Sequence, residues 1–447
     1  MSDSTTTRQL RDYQQEAYDG VWANWRSGVK RTVVVHATGL GKTDIIAKLC
    51  IDEALAGGTA LVIAERSEPL DQFTNRISEY AAIPVGRIQA ERNEIHCKIL
   101  AASIQTIRNP KRMAMIDDAG NRPTLVVIDE CHHALAESYD IVSTWAGCFD
   151  AAIAPTDLTN AEHVNWSATQ EHRTARLVGF TATLIRGDGQ LFDGLFTDVA
   201  DVKGMDWAIE HGWLVEPYGR TIRVRYSLDH IRRVSGDLSA SGVGGVVEQA
   251  AQEIVQAWEN EAANRITIAY APTIASADML LDAFLARGHA AELVIGNTPH
   301  EDRKLIYKRL AAGETRILVN VGVATEAFDC PPVSCILIAR MTENPGLYEQ
   351  MVGRGLRQLW ASDGTPLVDP ATGQRIKSDC LVLDVVGITQ KFQLVTLIAL
   401  RSHQRRAPRM EKRPVQRHWW QPKGAMADID LKPQPSIARR IFARLFG

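Results

Sequence analysis

The feature that most constrains the fold is the octapeptide His36-Ala-Thr-Gly-Leu-Gly-Lys-Thr43, which follows the β-branched run Thr32–His36 and precedes a helix-like stretch. Glycines let such a loop curl so that successive backbone N–H groups point inward at phosphate oxygens. His36 occupies the place of the first glycine in the general G-x-x-x-x-G-K-[ST] form, but the strand–loop–helix context still predicts a nucleotide-binding α/β domain. The loop residues expected to bind the nucleotide are Thr38, Gly39, Gly41, Lys42 and Thr43.

Two of these residues have specific expected roles. Lys42 is expected to reach the β- and γ-phosphates of the nucleotide, and the Thr43 hydroxyl is expected to bind Mg²⁺. The predicted cofactors are therefore ATP and Mg²⁺.

A second apolar run ends in acidic residues, in Leu125-Val-Val-Ile-Asp-Glu-Cys-His132. Such acids would emerge at the carboxyl edge of a parallel sheet, which is where open α/β sheets bind ligands. Asp129 is expected to hold Mg²⁺, and Glu130 to orient and deprotonate the attacking water. Two acids here could instead complement the dipole of a following helix, but the phosphate loop upstream favours the catalytic interpretation.

A third motif, Gln350-Met-Val-Gly-Arg-Gly-Leu-Arg357, lies in the second half of the chain. Arg354 and Arg357 are three residues apart, so on a helix they share a face. Alone, this motif also fits a solvated surface. Combined with the first two motifs, it predicts arginine fingers that stabilise charge on the transferring γ-phosphoryl group.

Short β-branched runs alternate with amphipathic stretches along the chain, as in βαβ units with a parallel sheet. The helical stretch Gly204–Gly212 and a turn at Pro217-Tyr218-Gly219 are predicted to pass between two such series, and Ser227–Gly245 is predicted to be a loop. The first series contains Thr32–His36, Ala60–Ala64, Lys98–Ala101, Leu125–Ile128 and Leu177–Phe180. The second contains Ile266–Tyr270, Ala291–Ile295, Arg316–Asn320, Cys335–Ala339 and Cys380–Asp384.

In this combined pattern the chain resembles superfamily 2 helicases of the DExH-box group. The three motifs occur in the expected order, and the resemblance covers about Leu10–Asp384. The Asp-Glu-Cys-His-His box and the Thr-Glu-x-Phe-Asp segment look most similar to those of RadD-like bacterial and phage helicases. Ala327 departs from that pattern, because those relatives usually carry glycine there. The C-terminal cysteine cluster of some relatives is also missing, so no zinc module is expected.

The resemblance implies roles for further residues. Gln14 is expected to contact the adenine edge, and Arg66–Gln72 and Ser103–Thr106 resemble strand-contacting segments. Asp329 lies in Val323–Pro331, which resembles a segment that faces both ATP and the strand. We interpret His132 as a hydrogen-bonding residue that bridges to Gln350, because no third ligand suggests a metal site. The residues assigned to coupling of hydrolysis with nucleic-acid binding are Thr181, Thr183, His132 and Gln350.

Charge is distributed unevenly along the chain. Residues 401–447 carry twelve basic and three acidic side chains, although the net charge of the whole chain is −3. This basic tail is expected to grip nucleic acid, with Trp419 and Trp420 able to stack on bases. A solvated tail, or docking of residues 437–446 on the rest of the chain or on a partner, is the alternative. No apolar run approaches the roughly 20 residues needed to cross a bilayer, and the start of the chain lacks the regions of a signal peptide.

These observations predict two tandem RecA-like α/β domains of the P-loop NTPase fold with parallel sheets, at residues 1–205 and 206–390, and a basic C-terminal extension at 391–447. The expected function is that of an ATP-dependent helicase or translocase in the cytoplasm of a bacterial or phage-infected cell. DNA is preferred over RNA from the resemblance alone, and no membrane partner is expected. A duplex translocase that does not separate strands, and an ATP-switched nucleic-acid clamp without processive unwinding, remain alternatives.

Overall fold

The chain builds two parallel β-sheets flanked by helices, as seen in a computed structural model. The structure describes residues 9–65, 67–131, 137–149, 159–160, 164, 174–182, 195–235, 237–323, 330–361 and 364–388. The whole of the predicted extension at 391–447, including the basic tail, therefore lies outside the described residues.

The first sheet has eight strands in the order β4-β3-β5-β2-β6-β7-β1-β8. All neighbouring strands are parallel except β3 and β4. The strands are β1 (Arg31–His36), β2 (Ala60–Ala64), β3 (Val85–Gln89), β4 (Arg92–Asn93), β5 (Ile99–Ser103), β6 (Leu125–Ile128), β7 (Arg176–Thr181) and β8 (Asp198–Lys203). The helices are α1 (Asp12–Arg26), α2 (Lys42–Leu55), α3 (Ser67–Tyr80), α4 (Ile104–Ile107), α5 (Pro110–Asp118) and α6 (Glu137–Ala146).

The second sheet has six strands in the order β13-β14-β12-β15-β16-β9, and all its pairings are parallel. The strands are β9 (Glu216–Ser227), β12 (Thr267–Tyr270), β13 (Ala291–Val294), β14 (Ile317–Asn320), β15 (Cys335–Ile338) and β16 (Asp379–Ile388). A separate hairpin is formed by β10 (Arg233–Val234) and β11 (Asp237–Leu238). The helices are α7 (Met205–Glu210), α8 (Ala240–Ala262), α9 (Ile274–Ala286), α10 (His300–Ala312) and α11 (Pro345–Gly355).

One hydrophobic cluster joins the two halves of the molecule. It contains Tyr13 and Leu40 from the first half and Leu214, Tyr348 and Met351 from the second, all at most 3% exposed. Burying apolar surface of this kind is worth roughly 25 cal/mol per Å². The packing therefore holds the phosphate loop against α11, and this contact positions the candidate site.

The predicted strands match the observed ones closely, because buried parallel strands are continuous apolar runs. The fold class, with two RecA-like domains, is confirmed for the described residues. Two expectations were wrong. Pro217–Gly219 belongs to β9 and not to a turn, and Ser227–Gly245 contains the β10–β11 hairpin and the first turns of α8. Proline is tolerated in β9 because, among the described residues, this strand lies at the edge of its sheet and pairs only with β16.

A buried ion pair anchors the core of the first half. The guanidinium of Arg176 lies 2.5 Å from the Glu53 carboxylate, and both side chains are at most 2% exposed. The guanidinium carbon lies 5.1 Å from the ring of Trp22 and 4.8 Å from that of Trp25, as expected for cation–π contacts. Both tryptophans therefore fill the core. Within the described parts of the chain, no helix is long and apolar enough to span a bilayer.

Candidate nucleotide site between the two sheets

The phosphate loop between β1 and α2 needs glycine at two positions. Gly39 and Gly41 have φ angles of +97° and +70°, a backbone conformation that favours glycine. A Cβ on Gly41 would lie 2.6 Å from Nε2 of Gln14 and 2.9 Å from a carboxylate oxygen of Asp44. The loop is thus a narrow cradle in which backbone N–H groups can approach an anion closely.

Lys42 begins α2 and lies between the loop and the acidic residues. Its ammonium donates a hydrogen bond of 3.2 Å to the backbone oxygen of His36 and lies 3.6 Å from a carboxylate oxygen of Glu130. The lysine and the glutamate come from different strand ends, 88 positions apart in the sequence, yet they face the same space. Both residues were predicted as site residues, and the structure brings them together.

Asp129 and Glu130 follow β6 at the carboxyl edge of the sheet. The Asp129 carboxylate accepts a hydrogen bond of 3.0 Å from the backbone N–H of Glu130. Glu130 has a φ of +47°, which is uncommon for a residue with a side chain. Such strained positions cost of order 1–3 kcal/mol and cluster at functional sites. Here the strain accompanies the carboxylate that faces Lys42.

Helix α11 brings the arginine motif against the phosphate loop. A Cβ built on Gly353 would lie only 2.8 Å from Cβ of Thr38, so helix and loop are in direct backbone-level contact. Arg354, on the adjacent position, is 6% exposed. Cγ of Arg357 lies 3.2 Å from the position of a Cβ on Gly39. Both guanidiniums therefore approach the nucleotide loop from the second half of the chain.

The substitution of His36 for the first glycine of the loop has a structural explanation. The His36 ring is fully buried, and its Nε2 lies 2.6 Å from a carboxylate oxygen of Asp201. Burial lowers the pKa of His36, so the ring is neutral near pH 7 and Nε2–H donates to Asp201. Burial alone raises the pKa of Asp201, but hydrogen bonds from His36 and Lys203 outweigh it and bring that pKa below its ordinary value. Lys203 also contacts Glu16 at 3.0 Å.

Gln14 lies against the phosphate loop and donates hydrogen bonds of 3.1 and 3.2 Å to the backbone oxygens of Leu40 and Gly41. Sequence reasoning missed the residues around it. The Arg11 guanidinium carbon lies 5.1 Å from the ring of Trp213 and 4.4 Å from that of Trp360. Arg11 lies three residues before Gln14, but no local pattern links it to two tryptophans about 200 or more residues away.

These residues line a single cleft of about 440 Å³. Its lining includes the predicted site residues Gln14, Thr38, Gly39, Gly41, Lys42, Thr43, Asp129, Glu130, Arg354 and Arg357, together with Arg11, Gln358 and Trp360. Thr181, at the end of β7, and Gln350, in α11, are buried outside this lining. Thr183, His132 and Asp329 lie outside the described residues.

The side chains present fit a magnesium nucleotide. Thr43 and Asp129 offer hydroxyl and carboxylate oxygens to the same cleft, and oxygen ligands are those that Mg²⁺ prefers. The two tight glycines leave the loop open to an anion, and Lys42, Arg354 and Arg357 supply positive charge. The arrangement thus offers both cation ligands and anion-binding groups to one nucleotide.

Two family models match the chain. Residues 7–186 match "Type III restriction enzyme, res subunit", and residues 247–358 match "Helicase conserved C-terminal domain". The two matches coincide with the two halves that contribute to the cleft.

Curated relatives agree with these matches. The chain is 26% identical over 377 residues to "Putative ATP-dependent helicase IRC3" of Saccharomyces cerevisiae, a match that covers 80% of this chain and 51% of the relative. It is 28% identical over 394 residues to "Putative mitochondrial ATP-dependent helicase irc3" of Schizosaccharomyces pombe, which covers 86% of this chain and 58% of the relative. The chain thus spans little more than half the length of these relatives.

Solved structures share the fold. A fragment of a putative HsdR subunit of a type I restriction enzyme from Vibrio vulnificus superposes with a TM-score of 0.59 at 19% identity, covering 86% of this chain and 66% of that one. Dbp5 from S. cerevisiae bound to RNA superposes with a TM-score of 0.53 at 13% identity, covering 87% of this chain and 89% of that one. At such low identity the likeness shows the fold alone.

Proposed function

The chain belongs to the superfamily 2 helicases, which are ATP-hydrolysing enzymes, and on that premise we propose that it is a motor that couples Mg-ATP hydrolysis in the cleft to movement along DNA. The observation that carries the proposal is the convergence of Lys42, Glu130, Arg354 and Arg357 on one cleft lined from both halves of the chain. A nucleotide bound there touches both halves, so its hydrolysis can change how they pack.

Hydrolysis is assigned to residues already facing one another. Lys42, which now contacts Glu130 and the backbone oxygen of His36, exchanges these contacts for phosphate oxygens. Glu130 is then free to accept the proton of the attacking water. When bound, Mg²⁺ supplies positive charge to the phosphate oxygens and is held by Thr43 and Asp129.

The arginines act on the charge that develops in the transition state. Arg354, near the end of α11, and Arg357, two residues beyond that end, direct guanidiniums to the γ-phosphoryl group. Removal of an arginine finger in phosphoryl-transfer enzymes costs about 10³–10⁵ in rate. Because α11 belongs to the second half, the fingers are in place only while the halves are closed. Turnover and closure are therefore coupled in this proposal.

The choice of DNA rests on the resemblance to RadD-like helicases, which stays a prediction. Among structures with the same fold, one is a restriction-modification enzyme bound to DNA and another is Dbp5 bound to RNA. The grip on the strand is expected to be mainly to phosphates, and hence salt-dependent and weakly sequence-specific.

The test is ATP hydrolysis measured side by side with single-stranded DNA, duplex DNA, forked DNA and RNA. We expect the DNA substrates to stimulate turnover most, and Lys42→Ala to abolish it without loss of fold. Glu130→Gln is expected to bind ATP and hydrolyse it poorly, since an amide cannot accept the proton. Hydrolysis by Lys42→Ala near the wild-type rate would refute the assignment of the cleft.

Two other activities use the same residues. A duplex translocase would displace a triplex-forming strand without separating a duplex, so strand-displacement and triplex-displacement assays distinguish it from a helicase. A nucleic-acid clamp would bind in an ATP-dependent way with little turnover. The competent set of Glu130, Arg354 and Arg357 favours turnover over a passive clamp.

A further inference from the structure

The region between the two predicted strand series is more basic than the rest of the described chain. Residues 217–235 hold five arginines and one aspartate, on a chain whose net charge is −3. These residues form β9 and the start of the β10–β11 hairpin. Their charge is not used by the nucleotide cleft, because none of them lines it.

The basic side chains of β9 point outward. Ile222 and Val224 are buried in the core beside α8, whereas Arg223 and Arg225 are exposed. Arg225 is 86% exposed, and its ion pair with Glu253, at 3.5 Å, is the kind that contributes little. Two residues along a strand span about 6.6 Å, so both guanidiniums can follow one phosphate backbone.

The hairpin continues this surface and is firmly mounted. Its base residues Leu228, Ile231 and Leu238 are at most 7% exposed. The Asp237 carboxylate accepts a hydrogen bond of 2.8 Å from the backbone N–H of Glu343. The Glu343 carboxylate in turn accepts two hydrogen bonds from Arg233, of 2.8 and 2.9 Å.

The segment that leads into the hairpin, and Val234 in β10, are open to solvent. His230 and Arg232 are exposed, and Val234 is 59% exposed. The backbone oxygen of Arg232 accepts a hydrogen bond of 2.8 Å from Ser239, so the strand that presents Arg232 is fixed. Arg232 therefore offers a positive charge on a rigid support.

This surface lies on the edge of the second sheet where strands end. β9 is parallel to its neighbour, so the hairpin that follows Ser227 emerges at the carboxyl edge, together with the loops after β12, β14 and β15. Carboxyl edges of parallel sheets are where such folds bind ligands. This surface therefore lies at the edge of the domain where ligands are expected to bind.

We propose that Arg223, Arg225, His230 and Arg232, here called the β9 basic surface, bind the phosphate backbone of nucleic acid outside the nucleotide cleft. The inference rests on the proposed function and adds to it a docking surface on the second domain. Exposed arginines on an edge strand also discourage edge-to-edge aggregation. Protection of the sheet edge would account for Arg223 and Arg225, which lie on β9. It does not account for Arg232, which lies directly before the hairpin.

The test compares two triple variants of the full chain with the same change in charge. One is Arg223→Gln/Arg225→Gln/Arg232→Gln. The matched control is Arg26→Gln/Lys304→Gln/Lys308→Gln, whose exposed cations lie on α1 and α10 and not on β9 or the hairpin. Affinity for single-stranded DNA, duplex DNA and RNA is measured between about 50 and 200 mM salt. In the first variant only, we expect the magnitude of the negative slope of log affinity against log salt to decrease by about 2–3. Basal ATP hydrolysis should be unchanged in both variants.

The outcomes separate the two proposals. A slope in the first variant equal to that in the control overturns the β9 basic surface alone, while a wild-type protein without salt-dependent binding overturns the proposed function. If the triple variant aggregates, the salt dependence of the single variant Arg232→Gln is measured instead. A slope whose magnitude is smaller by about 1 supports the β9 basic surface. An unchanged slope overturns it and leaves protection of the sheet edge as the role of the arginines. The nucleic acid whose binding loses the most salt dependence in the first variant is the one that docks there.

Discussion

The contact between α11 and the phosphate loop predicts the effect of Gly353→Ala. The added Cβ would lie 2.8 Å from Cβ of Thr38 and 3.3 Å from its Cγ2. Carbon atoms prefer separations of about 3.5–4.0 Å, so helix and loop must part by about 1 Å. Because Cβ of Thr38 is attached to the backbone, no rotamer change relieves the clash.

A displacement of about 1 Å at a catalytic site can cost about 100-fold in rate. We therefore expect ATP turnover by Gly353→Ala to fall about 100-fold, with a smaller change in the KM for ATP, since Arg354 is carried away on the same helix. Folding should survive, because alanine in place of glycine favours a helix by about 1 kcal/mol. The measurement pairs steady-state hydrolysis with thermal unfolding.

Gly245→Ala is the matched control. Gly245 lies within α8, and a Cβ there meets no atom within 4 Å. Its turnover should stay at the wild-type level. If Gly353→Ala hydrolyses ATP within about threefold of wild type, the direct contact between α11 and the loop is not needed for catalysis, and the reasoning fails.

Further predictions concern the fingers, the core and the tail. Arg354→Ala and Arg357→Ala should each lower turnover strongly with a smaller effect on ATP binding, and a loss below about tenfold in both would place the fingers elsewhere. Glu53→Gln should lower the free energy of unfolding, measured in urea, by about 3–5 kcal/mol, since it leaves the Arg176 charge buried without its partner. Glu261 is exposed, so Glu261→Gln should leave the free energy of unfolding nearly unchanged. A similar effect of the two substitutions would show that burial does not govern the contribution of the Glu53–Arg176 pair. Deletion of residues 401–447 should weaken nucleic-acid binding and flatten its salt dependence while basal hydrolysis survives. If the deletion leaves both the affinity and its salt dependence unchanged, the tail does not bind nucleic acid.

Much of the fold was predictable because the central strands are uninterrupted apolar runs. Leu125–Ile128 is fully buried, and its predicted bounds equal the observed ones. The edge strands β8 and β9 were not found for the opposite reason. β9 alternates buried apolar with exposed arginine side chains and begins next to a proline, while β8 carries Asp198, Asp201 and Lys203. Edge positions tolerate charge and proline, so they lack the signal of a buried strand.

The candidate site divides in the same way. Residues in contiguous motifs, such as Lys42 and Glu130, were predicted because their spacing reflects local geometry. The partners that position them were not. Asp201 contacts His36 across 165 positions, and Trp360 contacts Arg11 across more than 300. Such pairs are created only when distant segments pack, so no local pattern in a single sequence contains them.

The left-handed backbone at Glu130 implies a conflict between stability and activity. Glycine or asparagine would adopt a φ of +47° with less strain, so replacement by either is expected to stabilise the native state while removing the proposed base. A library screened only for resistance to heat would therefore enrich inactive proteins at this position. Selection for both properties should instead retain the glutamate and gain stability elsewhere.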